Sequence, residues 1–148
     1  MAKTTDPAWN TSKTASQNAS LRLPKVARAY FEEGRKLFEE TRSAPVLHRF
    51  RLATKRFRYT LELFRPCYGP GLERRLALLR AVQDYLGEIN DCAAAAELLG
   101  PSQNRIAAFL ERRRTAKTSA LREYWQQTFD AAGQERWWVD YLARFTRK

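Results

Sequence analysis

The sequence has a single histidine, His48, which removes histidine-rich metal sites from consideration. Its two cysteines, Cys67 and Cys92, are too few for a disulfide framework. No apolar export segment occupies the first 25 residues, so a reducing cytoplasm is the expected location. No apolar run reaches the roughly 18 residues that a membrane span needs, and no membrane partner is expected. Gly69-Pro70-Gly71 lacks the Gly-Lys-Ser/Thr ending of a phosphate loop, and no Gly-x-Ser-x-Gly occurs. Neither cysteine has a second histidine to act as its base. These absences argue against an enzyme and call for no metal and no cofactor. Acid is also in short supply, with 16 Asp and Glu against 27 Lys and Arg, a net charge of +11.

What is present is enough for one globular domain. The 148 residues are 44% hydrophobic and include 4 Trp, 6 Tyr and 8 Phe, which excludes wholesale disorder. The positive charge is uneven. Residues 45–66 hold six basic side chains and one acidic one, whereas residues 67–100 hold three and five. A dense basic segment followed by a net acidic one is the first pointer to a polyanionic partner.

Residues 1–20 are polar, rich in Ser, Thr and Asn, and without periodicity, so they read as a flexible N-terminal tail ahead of a helical domain at 21–148. Pro24 suits a helical first turn, with apolar residues then recurring to about Arg42. Ser43 and Pro45 mark the start of a second helix, with Ser43 as a candidate cap, running to about Phe64. After the Pro66–Gly71 turn a third helix extends from about Leu72 to Leu99, and Gly100-Pro101-Ser102 stops it. A fourth runs from near Gln103 to about Phe129, and Gly133 precedes a short last helix anchored by Trp137 and Trp138. No segment alternates as a half-buried strand would. The expected fold is all-α: an antiparallel bundle of four long helices plus a short C-terminal helix.

At about 100° per residue, Phe50, Ala53, Phe57, Leu61 and Phe64 fall on one face of the second helix. On the other face His48, Arg51, Lys55 and Arg58 form a ladder about 15 Å long, with Tyr59 beside it and Arg49 and Arg56 on a flank. Like charges at such spacing repel, and Glu62 alone on this helix offsets them. Such a ladder is a solvated face, is compensated by another helix or is matched to an anion, and the near absence of interleaved Glu favours the anion.

On the third helix Asp84, Glu88 and Asp91 share one side, with Arg80 four residues before Asp84. They either hold Mg²⁺ for phosphoryl chemistry or neutralise neighbouring arginines; without histidine ligands the structural role is preferred. On the fourth helix Arg113 and Lys117 either reach a cavity shared with the ladder or snorkel along the core edge.

Two stretches carry a family resemblance. Leu47-His48-Arg49-Phe50-Arg51, Lys55-Arg56-Phe57-Arg58-Tyr59 and Leu61-Glu62 form the first. The second comprises Leu79, Val82-Gln83-Asp84, Leu86-Gly87-Glu88, Asn90-Asp91 and Ala94. In order and spacing they resemble the two linked motifs of the CHAD family (conserved histidine α-helical domains), over about residues 25–145. The resemblance implies a non-catalytic helical domain that binds inorganic polyphosphate in a basic channel, in some members at polyphosphate granules. It implies that His48, Arg51, Lys55 and Arg58 face the phosphates, that Tyr59 borders them, and that Asp84 and Asp91 order the arginines. Family members usually carry two helical halves, and this chain resembles the second. Association of two copies into a homodimer would rebuild a two-sided channel. The competing readings are a nucleic-acid-binding basic protein and a Mg²⁺-dependent polyphosphate hydrolase. The first is disfavoured because the phenylalanines of the basic helix face its core side, away from any base.

Overall fold

The structure, a computed structural model, describes residues 9–39, 43–99 and 104–146. Within them lie α1 (Ala15–Glu39), α2 (Ala44–Leu63), α3 (Gly71–Leu98), α4 (Asn104–Tyr124) and α5 (Gln134–Arg144). A 3-10 turn, Arg65–Cys67, follows α2, and a π turn, Trp125–Phe129, prolongs α4. There is no strand among the described residues, and the architecture is the expected all-α bundle. Cross-helix contacts fix the directions. Phe38 meets Phe50 while Tyr30 meets Phe57, so α1 and α2 are antiparallel. His48 meets Asn90 while Glu62 meets Arg80, so α2 and α3 are antiparallel too. Lys117–Glu88 and Tyr124–Leu78 set α4 against α3 in the same way.

The first helix corrects the sequence reading. It starts at Ala15, and Pro24 is buried inside it instead of opening it. The cause is a capping box at Thr14-Ala15-Ser16-Gln17. Thr14 Oγ1 accepts the Gln17 N–H at 3.1 Å, and Gln17 Oε1 accepts the Thr14 N–H at 3.0 Å. Asn18, buried, then pins the preceding chain: its Oδ1 accepts the Asn10 N–H at 2.8 Å and its Nδ2 donates to the Asn10 carbonyl at 3.0 Å. Residues 15–20 are therefore part of the folded body and not tail. The part of the expected tail at 1–8, the helix end near Arg42 and the Gly100–Ser102 stop lie outside the described residues. At α2, Ser43 takes the extended cap conformation, but its hydroxyl makes no capping bond; its carbonyl accepts the Leu47 N–H at 3.1 Å.

The core is aromatic at one end and aliphatic at the other. Tyr30, Phe31 and Phe38 of α1 meet Phe50 and Phe57 of α2, Trp125 and Phe129 of the π turn, and Trp138 of α5. Leu79, Val82 and Leu86 supply the inner face of α3. The π turn, closed by the Asp130 N–H to the Trp125 carbonyl at 2.7 Å, carries Trp125 and Phe129 stacked at 4.6 Å into this core. Trp125 lies directly over Gly34 of α1, where a Cβ would overlap its indole ring.

Two arginines lock α5 in place. Arg35 grips Asp130 through both carboxylate oxygens, at 2.8 and 2.7 Å, and reaches Glu135 at 2.9 Å. Arg75 is buried between the rings of Trp137 and Tyr141, 3.6 and 3.9 Å from their centroids, and donates to the carbonyls of Gly71 and Trp137. Burial pushes its guanidinium down to about 10, which leaves it a cation at neutral pH. Trp138 is fully buried and anchors α5 as the sequence suggests, whereas Trp137 is exposed and only covers the Arg75 guanidinium.

Candidate anion-binding seam between two helices

The ladder forms because α2 buries Leu47, Phe50, Thr54, Phe57 and Leu61, which turns the opposite face outward. Arg51, Lys55 and Arg58 are half-buried along the edge that meets α3; His48 and Tyr59 are exposed. His48 Nδ1 lies 3.4 Å from Asn90 Oδ1, a long contact that places the top of the ladder against α3. At the bottom, Glu62 stands between Arg58 at 3.5 Å and Arg80 at 3.6 Å. The Arg58 guanidinium also lies over the Tyr59 ring, 4.9 Å from its centroid.

Between these ends the seam has more donors than acceptors. Arg51 and Lys55 form no ion pair with a described residue. Arg51 Nε and Arg58 Nε are both buried without a hydrogen-bond partner, since 3.5 Å to Glu62 is an ion-pair distance and too long for a hydrogen bond. On the facing side of α3, the buried Gln83 Oε1 is also without a partner. Three further buried atoms without a partner, Arg75 Nε and the indole nitrogens of Trp125 and Trp138, lie away from the seam in or beside the aromatic core, so the seam is distinguished by holding such atoms next to the cations of the ladder. The cations sit beside low-dielectric walls, which strengthens their pull on an anion.

The acidic residues are arranged differently from what the motif implies. Asp84 and Asp91 are exposed and pair with no described arginine. Arg80 pairs with Glu62 and not with Asp84, and Glu88 pairs with Lys117 at 3.0 Å. The acid that orders the ladder is Glu62, joined by Arg80 from the neighbouring helix. Among the described residues no three acidic, cysteine or histidine side chains stand close enough to share a metal ion. Arg49 and Arg56 project to the opposite edge of α2, toward Glu33 of α1, and not into the seam. Lys117 is held against α3 by its salt bridge to Glu88, and Arg113 is exposed on α4. The roles of Gln83 and Asn90 were not singled out by charge or spacing. A helical wheel of α3 drawn with Arg80 toward α2 would have found both, since the three share one stripe.

Residues 1–100 match the sequence profile of the CHAD domain. The chain belongs to the CHAD family. The match takes in the N-terminal segment and all of α1 to α3, and stops before α4, short of the 25–145 span carried by the motif resemblance. CHAD domains are in general related to polyphosphate binding. No curated protein and no solved structure shows a significant match to the chain. In this CHAD domain the matched region contains the whole α2–α3 seam and the cations of its ladder.

Proposed function

We propose that this CHAD domain binds inorganic polyphosphate along the α2–α3 seam, without catalysis. The observation that carries the reading is the half-buried, carboxylate-poor row of Arg51, Lys55 and Arg58. Arginine forks suit phosphate oxygens, and a polymer of repeating anions engages several rungs at once. His48 and Tyr59 extend the row at its two ends. Such a ligand would be stored, localised or sensed in the cytoplasm or at polyphosphate granules; the free, buried cysteines suit a reducing compartment. No described helix is long and apolar enough to cross a membrane.

The test is a titration of labelled medium-length polyphosphate at near-physiological salt, with duplex DNA and single-stranded RNA as competitors. Saturable binding that weakens steeply with salt and resists both nucleic acids is expected. Equal competition by DNA or RNA would favour the nucleic-acid reading. Phosphate released only with Mg²⁺, and lost in Asp84→Ala, would establish a hydrolase. Light scattering on the same samples reports whether two copies assemble; Leu98, Ile106 and Phe109, all exposed, offer apolar area for such a homodimer.

The exposed acids give a sharper prediction. Asp84 and Asp91 lie on the solvent side of α3 next to the seam and repel an anion there. Asp84→Asn/Asp91→Asn is expected to tighten polyphosphate binding about 5-fold at low salt, the size of a modest screened interaction. Weakened binding would mean instead that they order the arginines.

A further inference from the structure

A second site lies on the other edge of α2. Between α1 and α2 there is a cavity of about 550 Å³, within the size range of small-molecule pockets and far larger than a packing void. Its walls are largely apolar: Leu23, Val26 and Tyr30 from α1, Phe57 from α2, and Phe64 just beyond the end of α2. Ala29 and Ala53 leave the space that larger side chains would fill. One end is closed by Trp9, whose ring stacks on Phe64 with centroids 6.0 Å apart. Besides the Tyr30 hydroxyl, the polar side chains of the lining are Arg22, Lys25, Glu33, Arg56 and Thr60, three of them cations and one an acid. Lys25 and Arg56 make no ion pair with a described residue. Burial lifts the Glu33 carboxyl above the usual range, while the charges of Arg56 and Arg49 pull it back.

An apolar body with a cationic mouth selects against polyphosphate, which has no hydrocarbon to bury. We infer that the α1–α2 cavity of this chain binds a small amphiphilic anion, a carboxylate on a medium-length alkyl chain, with Arg56 and Lys25 at its head group. The chain lies against Phe57, Tyr30 and Val26, and Trp9 covers it. The site stands on residues outside the polyphosphate seam and does not depend on that reading.

The probe is dodecanoate, kept below its micelle concentration and followed by calorimetry and by the fluorescence difference between the parent and Trp9→Phe. Saturable binding near about 10 µM is expected, as hydrocarbon burial less the usual association cost suggests. Ala53→Leu, which fills the cavity, should weaken it at least 10-fold with an unchanged circular dichroism spectrum. Arg56→Gln, at an exposed position, should remove the preference for dodecanoate over dodecanol. Polyphosphate should not displace the bound alkyl chain. The inference is overturned if the parent shows no saturable dodecanoate binding up to about 1 mM. It is also overturned if Arg56→Gln leaves the preference intact, or if dodecanol binds the parent as well as dodecanoate does.

Discussion

Reversing the charge of Arg51, Lys55 and Arg58 together to glutamate is expected to abolish polyphosphate binding at near-physiological salt. Each rung supplies a charge-assisted hydrogen bond, and losing three corresponds to an affinity drop on the order of 1000-fold. The reversed side chains also add repulsion, and Glu62, which now stands beside Arg58 and Arg80, would be left facing a like charge at position 58. Because the arginine stems are half-buried, the milder Arg51→Gln/Lys55→Gln pair serves as a second arm. It removes the two cations that have no ion-pair partner and leaves the Glu62–Arg58–Arg80 cluster whole. That pair should still cost about 30-fold and flatten the salt dependence by about two counterions. Fluorescence titration over a salt series reads both effects. Parent-like binding by a folded Gln pair would show that the ladder is not the site.

The second large effect concerns stability and sits at Gly34. Alanine in the middle of a helix ordinarily improves on glycine by about 1 kcal/mol. Here the added methyl would run into the Trp125 indole, fixed on its other sides by Phe31, Phe38 and Phe50. Gly34→Ala is expected to destabilise the domain by about 2 kcal/mol net, lowering the melting temperature by about 6 °C. Gly34→Val should do more, through greater overlap and β-branching. Gly87→Ala is the control: nothing lies within 4 Å of its Cβ, so it should gain up to about 1 kcal/mol. Thermal melts of the three variants decide it, and a Gly34→Ala protein more stable than the parent would refute the account of the packing.

How much of this was legible in the sequence differs between fold and site. The helices were readable because each alternates a buried stripe with a polar face, and because Pro45 and Gly133 punctuate them. The start of α1 was not, since Pro24 outweighed a capping box ten residues earlier whose bonds only show once Gln17 folds back. The π turn has no sequence period of its own; it follows from placing both Trp125 and Phe129 against α1. Within the site, the ladder followed from the periodicity of one helix. Its partners did not, because the rotation of α3 about its axis decides whether Arg80 meets Asp84 or Glu62. That rotation is set by Leu79, Val82 and Leu86 packing inward, a tertiary choice that charge spacing does not encode.

The π turn and α5 bear on where this domain can be cut. The stretch that resembles other CHAD domains ends at residue 100, yet Trp125, Phe129 and Trp138 fill the space between Phe31, Phe50 and Phe57. The recognisable segment is therefore not an autonomous folding unit. Relieved of its last third, it would present a row of bare aromatic rings to water and would aggregate before it could meet any phosphate. The boundary of kinship and the boundary of cooperativity fall at different residues, and any dissection of this chain must respect the second.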